Sequence, residues 1–307
     1  MVDILLASYN GERFIREQLD SLLNQTEKGI RIIVRDDGST DGTGNILEEY
    51  RLRHADKIEL VGDRSASGSP ARNFMELLKY SKSEYIMFCD QDDVWDPEKV
   101  HKMLVRMQAE EKRCRDGAEP ILVFSDYEVV DANLKPLPIR EDSLQVAKYY
   151  HTFNRLLVQN YVTGCTMMIN RTAALLAGEY DSRMLMHDWW IALYVSAMGT
   201  VVHMPEKLMK YRQHGRNDVG ATDVRSMKYR LKKLADRKVS RSKDTYYAQA
   251  ELLKERYTDA LPERIQRTLD EFLKIRTLAK PARMKALVAG GYLKSDLVRT
   301  MGQLFYI

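Results

Sequence analysis

Two clusters of acidic residues, Asp36-Asp37 and Asp90-Gln91-Asp92-Asp93, each follow a short apolar stretch of the sequence. Carboxylates crowded at one place repel one another unless a cation or hydrogen-bond donors balance their charge. A divalent metal ion with bound phosphates would supply that balance, because hard cations bind carboxylate and phosphate oxygens. The alternative is that these aspartates begin turns and cap helices. Four polar residues at 90–93 are more than a cap needs, so for that cluster we favour the metal–phosphate interpretation.

The elements that carry these clusters follow an alternating pattern of strands and helices. The pattern predicts strands over residues 2–7, 30–34, 58–61 and 85–89 and helices over residues 12–24, 43–53, 70–80 and 98–115. This alternation predicts an α/β fold with a mainly parallel central sheet flanked by helices on both faces. Because ligands bind at the carboxyl ends of such strands, the two acidic clusters should meet at one edge of the sheet.

The second half of the chain has a different character. Further strands are predicted over residues 121–124, 167–170 and 200–204, and a helix over 189–198, whereas only helical patterns follow residue 223. Residues 1–220 hold 28 basic and 34 acidic side chains, while residues 221–307 hold 20 basic and 10 acidic ones. We therefore predict a catalytic domain over residues 1–220 and a basic helical C-terminal extension over residues 221–307.

Composition and missing motifs exclude several classes of protein. With 44% apolar and 30% charged residues, the 307-residue chain is globular rather than disordered or fibrous. No apolar run approaches the roughly 18 residues of a membrane span, and the first residues lack the basic start of a secretory signal. Walker-type and dinucleotide-binding glycine motifs are absent, as is a serine nucleophile elbow. The three cysteines show no metal-binding spacing and fit a reducing compartment, so we expect a cytoplasmic protein.

Three motifs together resemble one enzyme family. They are Leu5-Leu6-Ala7-Ser8-Tyr9-Asn10, Asp36-Asp37-Gly38-Ser39-Thr40-Asp41 and Asp90-Gln91-Asp92-Asp93. Their order resembles inverting glycosyltransferase family 2, which has the GT-A fold, and the similarity spans about residues 1–220. Segments at 124–126, 162–165, 187–190 and 211–215 make the chain similar to the bacterial rhamnosyltransferases of that family. The resemblance implies metal-dependent transfer of L-rhamnose from dTDP-β-L-rhamnose to a saccharide of the cell surface, which gives an α-rhamnoside.

The resemblance also implies a nucleotide site. Tyr9 would stack on the base, and Asp37 would accept the imide N–H of thymine or uracil, since an ionised carboxylate only accepts hydrogen bonds. The other residues implied in donor binding are Ala7, Asp36, Arg72, Asn73, Asp90, Gln91 and Asp126.

The same resemblance implies a divalent metal ion, Mn²⁺ or Mg²⁺. Asp92 would bind it directly, and Asp90 would hold the ribose or a metal-bound water. His214 would close on the metal and diphosphate, since a neutral imidazole can bind Mn²⁺ and a protonated one can pair with phosphate. The alternative for His214 is a surface loop histidine. We interpret the histidines at 54, 101, 151 and 203 as structural, because they lack acidic neighbours in the sequence.

Asp188 is the candidate general base. Family 2 enzymes usually carry an acidic pair here, whereas this chain has His187-Asp188, which matches the rhamnosyltransferase subset. The candidate acceptor residues are Gly164, His187, Trp189 and Trp190. Large aromatic faces can pack on a sugar, but core packing is the commoner role of such a tryptophan pair.

Several alternatives stay open. The donor could be a UDP-sugar, or the chain could be a metal-dependent nucleotidyltransferase, although the turn after Tyr9 offers only Arg13 for phosphate. We expect a lipid-linked acceptor and peripheral association with the inner face of the cell membrane. The basic stretch 225–243 could bind anionic headgroups or form a solvated helical face. A homo-oligomer is possible, and nucleic acid is not expected as a partner, because the acidic body would repel it.

Overall fold

The computed structural model describes residues 1–62, 65–114, 119–138, 152–214, 238–295 and 297–306. For residues 238–244, 297–298 and 305–306 it describes the backbone alone. The predicted domain boundary at 220/221, His151 and most of the basic stretch 225–243 lie outside the described residues.

One eight-stranded mixed sheet forms the centre of the protein. Its strands are β1 Val2–Ser8, β2 Ile30–Asp36, β3 Ile58–Leu60, β4 Tyr85–Asp90, β5 Val94–Trp95, β6 Ile121–Val130, β7 Met167–Asn170 and β8 Thr200–Arg212. Their order across the sheet is β3-β2-β1-β4-β7-β6-β8-β5. The pairs β1–β2, β1–β4, β2–β3 and β6–β8 are parallel, and the pairs that involve β7 or β5 are antiparallel. The predicted α/β fold with a mainly parallel sheet is confirmed.

Helices cover the sheet and follow it in the chain. They are α1 Ile15–Leu23, α2 Thr43–Arg53, α3 Pro70–Leu78, α4 Lys99–Glu111, α5 Phe153–Leu156, α6 Arg171–Leu176, α7 His187–Met198, α8 Lys238–Tyr257, α9 Glu263–Ile275, α10 Lys280–Ala289 and α11 Leu297–Tyr306. A short 3-10 turn, Gly164–Thr166, precedes β7. α3 begins with Pro70 and is capped by the hydroxyl of Ser69, which accepts from the amide of Arg72. Proline at this position removes an amide that would have no helical partner.

The central strands are buried on both faces because helices pack on each side. Along β1, Leu5 belongs to one apolar cluster, whereas Ile4 and Leu6 belong to another on the opposite face. This alternation is the two-residue period of a strand. A strand that is apolar on both faces reads as a continuous apolar run, which is why the sequence showed these strands clearly.

The C-terminal helices pack on the same core as the sheet. Leu253 of α8 and Phe272 of α9 are fully buried in the cluster that also contains Leu5 and Trp190. Polar contacts add to this packing, since the backbone amide of Leu185 donates to Oε1 of Gln249 at 2.9 Å. The described part of the extension, residues 238–295 and 297–306, is therefore mainly helical and packs on the core of the sheet. Among the described residues, no helix is both long and apolar enough to cross a membrane.

Candidate active site

The two acidic clusters lie on either side of the end of β1. In the parallel register Ser8 is the partner of Asp36 on one side, and Ala7 is the partner of Asp90 on the other. The predicted meeting of both clusters at one edge of the sheet is thus confirmed. Short apolar strands that end in polar turns bring the two clusters together although 53 positions separate Asp37 from Asp90.

The Asp90 cluster holds the loop after β1 through Gln91. The side-chain amide of Gln91 donates to the carbonyl oxygen of Tyr9 at 2.8 Å, and its Oε1 accepts from the Tyr9 amide at 2.8 Å. Gly11 leaves room for this amide, because a Cβ there would lie 2.2 Å from Oε1 of Gln91. Gln91 therefore positions the Tyr9 backbone, and Tyr9 as a whole is 55% exposed. An exposed ring at this edge suits stacking on a base, which stays a prediction.

Asp36 and Asp37 have different surroundings. Asp36 accepts hydrogen bonds from the hydroxyls of Ser8 and Ser39 at 2.9 Å and 2.5 Å, so it holds the two loops together. Asp37 forms a buried ion pair with Arg35, 2.8 Å from Nη1, and accepts from the amide of Ser67 at 2.6 Å. Both carboxylates are nearly buried. Asp36 thus shapes the loop, and Asp37 is fixed in place by charge.

Arg35 also connects the base pocket to α3. Its Nη1 donates to Oδ1 of Asn73 at 2.8 Å, and Asn73 is only 3% exposed. Arg72 precedes it at the exposed start of the helix. The two residues expected to reach the donor thus differ: Asn73 supports Arg35 and Asp37, whereas Arg72 remains on the surface. Arg35 is not predictable from the sequence, because a single arginine inside a strand gives no signal.

Carboxyl groups are crowded together in the Asp90 cluster. Burial and the nearby carboxylates of Asp92 and Asp188 raise the pKa of Asp90 to about 7. Burial, followed by the charges of Asp92 and Asp90, raises the pKa of Asp93 well above its usual range. A cation among these groups would relieve both effects, because it favours the charged carboxylates.

His214 lies against this cluster, and its role as a metal ligand stays a prediction. Its Nε2 is 2.6 Å from Oδ2 of Asp92, and its ring lies 4.8 Å from that of Phe14. Arg212, missed by the sequence analysis, fixes the end of β8 here. Its Nε donates to the carbonyl oxygen of Asp92 at 2.7 Å, and its backbone amide donates to Oδ1 of Asp93 at 3.0 Å.

Asp188 occupies the first turn of α7, where a carboxylate is stabilised by the helix dipole. It accepts hydrogen bonds from the backbone amides of Gly164 and Trp189 and from the side-chain amide of Asn160, at 2.5–3.0 Å. Burial is nevertheless the largest influence and raises the pKa of Asp188 to about 7. A carboxylate with a pKa near neutrality is suited to accept a proton at physiological pH.

The other residues expected at the acceptor have structural surroundings. The ring of His187 lies 4.0 Å from that of Phe74 and 5.3 Å from that of Phe88, and burial lowers its pKa to about 3. Trp189 donates from Nε1 to the carbonyl oxygen of Leu156 at 2.5 Å. The prediction that Trp190 offers a face to a sugar is wrong, because the ring is fully buried in the core.

Asp126 lies on β6 beside a histidine. Nε2 of His203, on the neighbouring strand β8, is 2.8 Å from Oδ1 of Asp126. The reason given for interpreting His203 as structural, its lack of acidic company, is therefore wrong, because sequence neighbours do not show contacts across strands. Its structural role stays a prediction. The role of Asp126 in donor binding stays a prediction.

The family model of glycosyl transferase family 2 matches residues 3–174, more than half of the chain. The chain belongs to glycosyl transferase family 2.

Two relatives are similar to this family 2 chain over more than two thirds of its length. The dTDP-rhamnosyl transferase RfbG of Shigella flexneri is 28% identical over 257 residues, which cover 80% of this chain and 84% of the relative. An uncharacterized protein of Mycobacterium tuberculosis is 28% identical over 215 residues, which cover 69% of this chain and 59% of that protein's length.

Solved structures share the fold of this family 2 chain. S. aureus TarS 1–349 in complex with UDP has a TM-score of 0.59 at 17% identity, over 91% of this chain and 73% of that 1–349 chain. The mannosyltransferase PcManGT from Pyrobaculum calidifontis, in complex with GDP-Man and Mn²⁺, has a TM-score of 0.56 at 16% identity, over the whole of this chain and 80% of that one. These similarities show that the chain has the GT-A fold.

The side chains at the acidic edge offer ligand atoms that suit a divalent cation. Carboxylate oxygens of Asp90 and Asp92 and an imidazole nitrogen of His214 are ligands that Mn²⁺ accepts. The raised pKa of Asp90 supports this fit, since it reflects burial first and then the negative charges of Asp92 and Asp188, and a bound cation would oppose both effects.

Proposed function

We propose that the protein is a metal-dependent inverting glycosyltransferase that moves L-rhamnose from dTDP-β-L-rhamnose to a saccharide acceptor. One observation carries the reaction type: a buried carboxylate with a pKa near 7, Asp188, lies close enough to Asp90 for their charges to interact. The rhamnosyl donor is supported by the similarity to the dTDP-rhamnosyl transferase RfbG.

The proposed site binds the donor through its nucleotide. Tyr9 stacks on the base, and Asp37, held by Arg35, accepts the imide N–H of thymine. Uracil has the same imide, so the site is equally compatible with a UDP-sugar as the alternative donor. Asp92 and His214 would hold the divalent cation, with Asp90 beside them. When bound, the cation supplies positive charge that stabilises the diphosphate leaving group.

Asp188 performs the proton transfer in this proposal. Its carboxylate takes the proton of an acceptor hydroxyl as that oxygen attacks the anomeric carbon from the face opposite the leaving group. A single displacement inverts the anomeric centre, so a β-linked donor gives an α-rhamnoside. Asn160 and the amide of Gly164 hold the carboxylate in a fixed orientation during this step. General-base assistance of this kind accelerates a reaction roughly 10²- to 10⁴-fold.

Two isosteric variants test the proposal in one design. We expect Asp92→Asn to lose the increase in dTDP affinity that Mn²⁺ produces, because a cation ligand is lost. We expect Asp188→Asn to keep that increase but to lose roughly 10²- to 10⁴-fold in rhamnose transfer. Calorimetric titration with dTDP, UDP and GDP, each with and without Mn²⁺, measures the first effect, and turnover of dTDP-rhamnose measures the second. Nucleotide binding indifferent to Mn²⁺ in the wild-type protein, or an Asp188→Asn variant with more than about a tenth of wild-type turnover, contradicts the proposal.

The acceptor in this proposal is lipid-linked, and the protein associates with the inner face of the cell membrane. The support is charge: residues 225–243 hold nine basic side chains and one acidic one. Attraction between basic residues and anionic headgroups weakens as salt screens it. We expect flotation with anionic vesicles at low salt and release at high salt, with neutral vesicles as the control. An absence of flotation at low salt contradicts the membrane proposal and leaves the transferase proposal intact.

A further inference from the structure

A thiol and two carboxylates lie together next to the candidate active site. One ligand atom from each of Asp90, Asp93 and Cys165 lies within 4.8 Å of the other two. Asp93 and Cys165 are each 1% exposed, and Asp90 is half-buried at the end of β4. Cys165 sits in the turn Gly164–Thr166, which packs against β4 and connects the cluster to Asp188 through the Gly164 amide. Its place in the chain gave no sign of this, since its partners precede it by more than 70 residues.

A second observation indicates that the cluster is incomplete without a ligand. Oδ1 of Asp93 accepts the amide of Arg212, but its Oδ2 is buried and has no nitrogen or oxygen donor among the described residues. The Asp93 carboxyl has only the Cys165 thiol, a weak donor, as a further neighbour for a hydrogen bond. A buried carboxylate oxygen with so weak a partner costs free energy, because it has given up water for little in return. Native proteins contain few such atoms, and a bound ion is one way in which their free-energy cost is relieved.

The chemistry of the three ligands indicates which ion would fit. We propose that Asp90, Asp93 and Cys165 form a second cation site, distinct from the Asp92–His214 pair, which binds a thiophilic divalent cation such as Zn²⁺ or Cd²⁺. Thiolate ligands select these softer ions, whereas Mg²⁺ prefers oxygen ligands alone. A coordinating thiol is deprotonated when the metal binds, so Cys165 contributes a negative charge.

The neighbouring lysine gives this site a balanced charge. Lys99 is fully buried, donates from Nζ to the carbonyl oxygen of Cys165 at 2.5 Å, and lies 3.6 Å from the centre of the Trp95 ring. Two carboxylates and a thiolate carry three negative charges, and one divalent cation together with the Lys99 ammonium carries three positive ones. The site is therefore neutral with one cation bound, and a second divalent cation would leave a buried net charge, which is costly.

Occupation of this site has a functional consequence that rests on the proposed function. Asp90 would belong both to the donor site and to the thiol-containing site. A Zn²⁺ or Cd²⁺ ion bound to Cys165 would draw the Asp90 carboxylate toward the buried side and away from the donor. We therefore expect such ions to inhibit transfer in the presence of saturating Mn²⁺, and Cys165→Ser to relieve the inhibition.

The primary test is spectroscopic and does not depend on activity. Cd²⁺ is titrated into the full-length protein in a Cys114→Ser background, because Cys114 is a half-exposed thiol near Glu119 that could bind Cd²⁺ by itself. We expect an ultraviolet cadmium–thiolate charge-transfer band that saturates at one ion per chain. Adding Cys165→Ser should abolish the band. Adding Asp93→Asn should weaken Cd²⁺ binding by at least about tenfold, the loss typical even of outer-shell metal partners.

The Asp93→Asn variant removes the ligand charge without removing a contact that holds the fold together. The asparagine oxygen can still accept the Arg212 amide, so the end of β8 stays in place while the ligand charge is lost. No band in the Cys114→Ser protein, or a band that persists in the Cys114→Ser/Cys165→Ser protein, overturns the proposal. In the second case Cys89, whose Sγ accepts from Nε2 of Gln18 at 3.0 Å, would be the source. Mn²⁺-dependent dTDP binding is measured in the same proteins, so failure of the second site is distinguishable from failure of the proposed function.

Discussion

Asp188 is subject to two opposing influences on its pKa. Three hydrogen-bond donors favour the carboxylate, whereas burial favours the neutral acid and outweighs them. The result, a pKa of about 7, gives the side chain both states near physiological pH. His187 beside it shows the converse case, because burial without any charged partner lowers its pKa to about 3 and keeps the ring neutral. Of the two adjacent residues, therefore, only Asp188 can exchange a proton in the neutral range.

The pH dependence of transfer follows from this pKa. A general base works only when deprotonated, so kcat/KM should rise as pH increases through about 7 and fall roughly tenfold per pH unit below it. Asp90 also has a pKa of about 7, but saturating Mn²⁺ would lower it by adding positive charge. The profile is therefore measured at saturating Mn²⁺, with Asp188→Asn as the variant in which the acidic limb disappears. A wild-type profile that is flat between about pH 5.5 and 8 would mean that another group is the base.

At the scale of elements, the sequence predicted the strands that are buried on both faces and the helices between them. It did not predict that β6 and β8 continue to Val130 and Arg212, or that β5 exists. The residues after Phe124 in β6 are mostly polar or half-buried, so they do not read as a strand. Their pairing depends on β8, whose start lies some 80 positions later in the sequence. Such long-range pairing leaves no periodicity in either segment.

The candidate site was predictable to a similar extent. Asp37, Asp92, His214 and Asp188 occur in recognisable motifs, and the structure brings them to the edge of the sheet or near it. Arg212 and Asn160 contact Asp92 and Asp188 from distant parts of the chain, and Lys99 contacts the carbonyl oxygen of Cys165 beside them. Arg35 lies only two positions before its partner Asp37, but nothing in a single strand arginine marks it as that partner. The identity of a buried charge partner is decided by tertiary contacts, so sequence spacing alone did not reveal these four.

The turn Gly164–Thr166 makes a specific prediction at this scale. A Cβ at Gly164 would lie 2.6 Å from Nε2 of His187 and 3.5 Å from the Cβ of Asp188. His187 is held between Phe74 and Phe88 and has little room to move. Overpacking of this kind costs about 1–3 kcal/mol, so Gly164→Ala should lower the free energy of unfolding by that amount. It should also reduce kcat, because the Gly164 amide that orients Asp188 must shift.

Gly302→Ala provides the matched control for this variant. Gly302 lies inside α11, and a Cβ there would meet no atom within 4 Å. Alanine is the better helix former, so this change should be neutral or stabilise by up to about 1 kcal/mol. Urea denaturation and steady-state kinetics measure both variants. A Gly164→Ala protein with wild-type stability and kcat would show that the turn can yield and does not position the base.

At the scale of the whole molecule, the C-terminal helices and the sheet share one apolar cluster. The ring of Trp190 in α7 stacks on that of Tyr257 in α8, with 6.1 Å between their centres. The hydroxyl of Tyr257 donates in turn to the carbonyl oxygen of Leu176. A large apolar contact of this kind makes separate unfolding of the two parts unfavourable, because either part alone would expose aromatic rings to water. We therefore expect the basic extension to be required for a stable catalytic domain.

Phe272→Ala tests this cooperative unfolding. Phe272 is fully buried in α9, with its ring 4.8 Å from that of Tyr247 and 5.0 Å from that of Tyr292, so the truncation should cost about 3–5 kcal/mol. The chain's three tryptophans all precede residue 220, so their fluorescence reports on the sheet region and, through the contact of Trp190 with Tyr257, on its boundary with α8, whereas far-ultraviolet circular dichroism reports on all helices. In urea both signals should shift together to lower concentration. Val288→Ala, which removes an exposed side chain in α10, should change stability by less than about 0.5 kcal/mol. A fluorescence transition that stays at the wild-type midpoint while the dichroism signal shifts would mean that the extension unfolds independently.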